Sequence, residues 1–90
     1  MRLDSKVTGT LFKNSNGQQI PEDEFVVFRP ADNALPDTLE FYLRKCMDLR
    51  ADKSQLGAVQ DLIERVRIWR QEHPDRCKVA DVVPGELQVE

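Results

Sequence analysis

Residues 23–41, DEFVVFRPADNALPDTLEF, contain the transition that decides the fold. Phe25-Val26-Val27-Phe28 is β-branched and aromatic throughout, the composition of a strand. Pro30 stops that strand, because proline has no amide to give to a ladder. A polar connection, ADNALPD, follows, and its Pro36 is tolerated in the first turn of a helix. From Leu35 onward, apolar residues recur every three or four positions: Leu35, Leu39, Tyr42, Leu43, Cys46 and Leu49. A strand that is apolar on both faces thus leads into an amphipathic helix predicted from about Leu35 to Arg50. One face of the strand can cover the helical layer. The other needs a partner, either residues 79–83 or a second copy of the chain.

On the N-terminal side, KVTGTLFK at 6–13 has strand composition, and Asn16-Gly17 in NSNG marks a tight turn. QQI can return as a short second strand before Pro21 and the acidic EDE interrupt any ladder. The result is an antiparallel ribbon of two or three strands, too small to be stable alone.

On the C-terminal side, ADKS supplies Asp52 or Ser54 as the cap of a second helix. This helix carries Leu56, Val59, Leu62, Ile63, Val66 and Trp69 on its stripe and runs to about His73, where Pro74 ends it. Two amphipathic helices with a short connection pack as an antiparallel hairpin. The expected fold is therefore α+β, a small antiparallel ribbon packed on a two-helix hairpin. Residues 1–83 form one domain and 84–90 a flexible tail.

The totals agree with a small globular domain. The chain has 90 residues, 40% hydrophobic and 32% charged. A chain of this size buries roughly 60–65% of its unfolded surface, so modest stability is expected. A net charge of −3 gives no global attraction to nucleic acid or an anionic membrane. No apolar run approaches a membrane span, and MRLDSKVTGT lacks the apolar core of a secretory signal. A cytoplasmic location follows as the expectation, with Cys46 and Cys77 as free thiols.

Two residues break the helical pattern. Phe41 falls outside the first helix's stripe, among Glu40, Arg44, Lys45 and Asp48, and Ile68 falls almost opposite the second helix's stripe. Phe41 can pack beneath the ribbon. Alternatively Phe41 and Ile68, with Phe25 and Val27 on the strand's second face, form an association surface. Self-association remedies a small core and caps unpaired strand edges, so a homo-oligomer is expected, a dimer first.

The chemistry on offer is limited. Arg29 arrives where the first helix begins, and helix N-termini attract anions. With Asn33 and Thr38 as neutral donors, Arg29 can hold a small anionic, nucleotide-like ligand. The competing structural reading pairs Arg29 with Asp32 or Asp37 and uses the polar residues as caps. RVRIWR at 65–70 interleaves arginines with Trp69, but Asp61, Glu64 and Glu72 surround them, as on a solvated helix. His73 and Cys77 lack the paired spacing of a zinc site, and His73 suits a helix C-terminus. PEDE lacks a calcium loop's ligand pattern and reads as a solvated charged segment beside an apolar strand. No nucleophile elbow, paired-carboxylate pattern or cofactor motif stands out, so the expectation is a non-enzymatic protein with no metal or cofactor.

The segment from EDEFVVFRPADNALPDTLEFYLRKC to LIERVRIWRQEHPDRCKVAD, about residues 20–80, resembles small uncharacterised proteins encoded by bacteriophages and bacteria. In those, a strand like FVLRAQD leads through an Ala-Pro-containing turn into a helix. Phe28, Arg29, Ala31, Asp32 and Pro36 carry the likeness. It implies a phage-type accessory or host-directed protein that acts by binding a protein or a small molecule.

Overall fold

The computed structural model describes residues 1–87 and gives a small α+β fold. Two antiparallel strands, β1 (Leu11–Phe12) and β2 (Gln19–Ile20), make a small sheet, and two helices, α1 (Leu35–Asp48) and α2 (Lys53–Glu72), pack together. The described residues divide into two compact units, one of residues 1–27 with 81–87 and one of residues 28–80. Residues 88–90 of the expected tail lie outside the described residues. No helix among the described residues is long and apolar enough to cross a membrane.

In the first unit, β1 and β2 pair Leu11 with Ile20 and Phe12 with Gln19. The connecting loop closes with bonds from Lys13 N–H to Gln18 O and from Gly17 N–H to Lys13 O, both 2.8 Å. Within this loop only Gly17 has positive φ (72°); Asn16 instead accepts from the Gln18 amide through Oδ1. This is a four-residue hairpin loop closed by a bond across five residues, and it needs one left-handed residue rather than two.

The segment predicted as the strongest strand does not join the sheet. Residues 25–29 form neither helix nor ladder, so the ribbon has two strands and not three. The preceding EDE winds into a 3-10 turn at Glu22–Glu24, from which Phe25 leaves in an extended conformation. The local partner of this segment is a side chain. Asp4 Oδ2 accepts from the Val27 amide at 2.9 Å, while Asp4 Oδ1 accepts from the Lys6 and Val7 amides at 2.9 and 2.8 Å. The Val27 bond is the leading reason that the Asp4 carboxyl is held below its ordinary pKa. Residues 81–87 are held by Lys6, whose ammonium donates to Asp81 O and lies 2.9 Å from Glu86 Oε1. That oxygen is closed to solvent and accepts no well-aligned hydrogen bond, but the ammonium compensates its charge.

In the second unit, the helices meet along a narrow seam. Leu35 and Cys46 of α1 and Val59 and Val66 of α2 are the buried side chains, flanked by half-buried Leu39, Leu43, Leu56 and Ile63. The α2 positions 56, 59, 63 and 66 alternate steps of three and four, the spacing of a two-helix seam. Tyr42, Leu49 and Leu62 were predicted on the inner stripes but are exposed. Two helices alone cover only a strip of each other's surface, and the edges of both stripes remain outside it.

The helix ends follow from local chemistry. Asp52 caps α2, its Oδ1 accepting from Gln55 N–H at 2.8 Å. α1 ends at Asp48, two residues short of the predicted Arg50, because Arg50 turns left-handed at φ 59°. Ala51 N–H then reaches Cys46 O and Arg50 N–H reaches Met47 O, the two bonds of a Schellman closure. After α2, a 3-10 turn at Pro74–Arg76 brings Lys78 beside the α1 entry. Lys78 N–H bonds Ala31 O at 3.0 Å, and Asn33 N–H bonds Lys78 O at 2.9 Å. The return contact lies here, at Lys78; residues 79–83 join no ladder.

Candidate functional site

The α1 entry was expected to present Arg29, Asn33 and Thr38 to an anion. In the structure these residues do not converge. Arg29 is exposed, and among the described residues its guanidinium makes no hydrogen bond or ion pair, including the expected pair with Asp32 or Asp37. Thr38 Oγ1 donates to Ala34 O at 2.7 Å, and Asn33 Oδ1 accepts from Arg70 Nη2 at 3.0 Å. The amides at the start of α1 are also engaged: Ala34 N–H donates to Asp32 Oδ1 and Leu35 N–H to Asp32 O. Pro36 has no amide to offer. The Ala34, Leu35 and Thr38 amides at the entry are thus taken within the chain.

Arg70 is the residue that sequence reasoning missed. Its Nη1 donates to Pro30 O at 3.0 Å and to Asp32 O at 3.3 Å, in addition to the Asn33 bond. One guanidinium from the end of α2 therefore holds the three carbonyl-type oxygens of the turn that starts α1. The signal was present: position 70 continues the inner series 56, 59, 63, 66, and a half-buried arginine there needs acceptors.

The other arginines of RVRIWR are also occupied within the chain. Arg65 pairs with Asp61 at 2.8 Å, and Arg67 forks onto Glu64, lowering the Glu64 pKa chiefly through that hydrogen bond. Trp69 stacks on His73 with ring centroids 4.4 Å apart, and Arg76 lies 5.1 Å from the Trp69 ring centre. His73 Nδ1 lies 2.8 Å from Trp69 O, which closes the helix end as the sequence reading expected of this residue. An open groove of about 520 Å³ lies between the start of α1 and the end of α2, floored by Pro36, Leu39, Ile63 and Pro74. Both arginines at its rim, Arg67 and Arg70, are already committed.

The candidate association residues are distributed as follows. Phe41 is 57% exposed, with Arg44 over its ring at 5.9 Å, and Ile68 is 41% exposed. Phe25 and Val27 are half-buried. The exposed side of their segment belongs to Val26 (57%) and Phe28 (63%), the alternate pair to the one predicted. The burial that distinguishes the two faces is a tertiary property, and alternation alone leaves both open. No protein-family model matches this chain, and no curated protein or solved structure matches it.

Proposed function

We propose that this chain is a small non-enzymatic interaction protein that associates with itself, the dimer being the first assembly, in a phage-type accessory or host-directed role. The observation that carries this reading is the distribution of large apolar side chains. Leu35, Cys46, Val59 and Val66 are the buried ones among the described residues, while Phe12, Val26, Phe28, Phe41, Tyr42 and Leu62 stay exposed. Single exposed apolar residues are ordinary, but so many beside so thin a core favour a protein completed by association. The small anionic ligand reading has less support, since Asn33 and Thr38 are engaged internally.

Sedimentation velocity across a dilution series, with native mass spectrometry on the same samples, tests the proposal. A concentration-dependent dimer without adducts is expected. A monomer at every concentration overturns it, and a reproducible small-molecule adduct per subunit transfers support to the ligand reading.

A further inference from the structure

We infer that two copies meet by antiparallel pairing of residues 25–29 with themselves, in the register that sets Val26 opposite Phe28 of the second copy. The inference rests on the self-association reading and specifies its edge. Exposure alternates along the segment, Phe25 and Val27 half-buried and Val26 and Phe28 exposed, as in an extended chain, where neighbouring residues point their N–H and C=O groups to opposite sides. The Val27 amide points to Asp4. Val26 and Phe28 therefore turn theirs the other way, and among the described residues none of these groups has a hydrogen-bond partner.

An unpaired edge made of β-formers is a template for a strand. A two-fold axis through Val27 sets Val26 against Phe28 of the second copy in both symmetry-related pairs. Each pair exchanges two N–H···O bonds, and the Val27 residues face each other as the non-bonded pair. Val26 and Phe28, the exposed side chains of the segment, then cover one another across the axis.

Charge selects a second copy over an unrelated strand. Asp23 and Glu24 precede the segment, Arg29 ends it, and none has an ion-pair partner among the described residues. Antiparallel self-pairing brings the acidic end of each copy to the basic end of the other. A parallel arrangement would set like charges together.

The test is amide hydrogen exchange by NMR on the full chain, at the concentrations used for sedimentation. The Val26 and Phe28 amides should be protected in the dimer and lose protection as it dissociates, while Val27 stays protected by Asp4. Phe28→Lys should abolish the dimer and leave the melting temperature of the dilute protein within a few degrees. A dimer whose Val26 and Phe28 amides exchange freely overturns this edge and leaves self-association standing. Protection that survives full dilution also overturns it, because the edge is then covered within one chain. Monomer at every concentration removes both readings. A Phe28→Lys protein that dimerises like the parent contradicts the pairing as well.

Discussion

Arg70 Nη2 donates to Asn33 Oδ1 at 3.0 Å, joining the last turn of α2 to the residue that precedes the α1 entry. With the bonds to Pro30 O and Asp32 O, this contact makes Arg70 the fastener of the second unit. Arg70→Leu keeps the side chain's apolar volume but leaves the acceptors without their donor. We expect a loss of about 2 kcal/mol, the scale of a charge-assisted bond with partly exposed acceptors. Asn33→Ala should cost less, about 0.5–1 kcal/mol, since two of the three bonds remain. Urea unfolding of both variants checks this; equal losses would mean that Arg70 acts through Asn33 alone.

Arg50 carries the cost of a left-handed residue so that α1 can close and α2 can begin. Glycine adopts this conformation freely, although it gives up more chain entropy on folding. Arg50→Gly should therefore stabilise the protein by about 0.5 kcal/mol, whereas Arg50→Val should destabilise it by about 1 kcal/mol or more. Thermal melts decide the sign. A lower melting temperature for Arg50→Gly would show that the side chain contributes more than the backbone costs.

The two helices and the Asp52 cap were legible because period, cap and breaker are local properties of the sequence. Residues 25–29 were not, because a strand is defined by its partner. Phe25–Phe28 has the propensity, but its neighbours supply the Asp4 carboxylate and a 3-10 turn instead of a second strand. The helical stripes were read too wide for a related reason. Periodicity identifies which residues are apolar on one side, while the width of the seam that covers Tyr42, Leu49 or Leu62 depends on how many elements pack there. Asn33 looked like a ligand group and proved to be Arg70's acceptor, a pairing 37 residues long in sequence.

Asp4 gives the first unit a pH dependence with a defined sign. Its folded pKa is lowered, first by the Val27 amide and then by that of Lys6, so the folded state favours the carboxylate. The stabilisation is fully present above the ordinary carboxylate range, near pH 4, and fades as pH falls through the lower folded value. Asp4→Asn keeps one acceptor oxygen but loses the charge. The difference in urea midpoint between parent and variant should be largest at neutral pH and should shrink below about pH 4. A difference that stays constant into acid would assign the effect to shape and not to charge.

Phe41 and Ile68 separate association from core packing. Both lie on α-helical faces with substantial exposure, so an aspartate at either position can remain solvated in the monomer. Phe41→Asp also removes the ring beneath Arg44, an exposed cation–π contact worth about 0.5 kcal/mol. The expected result is weaker assembly in sedimentation with the dilute monomer's stability changed by less than about 1 kcal/mol. Unfolding of Phe41→Asp or Ile68→Asp would assign that side chain to the core. If both variants assemble like the parent while Phe28→Lys does not, association is confined to the strand edge and the helices take no part in it.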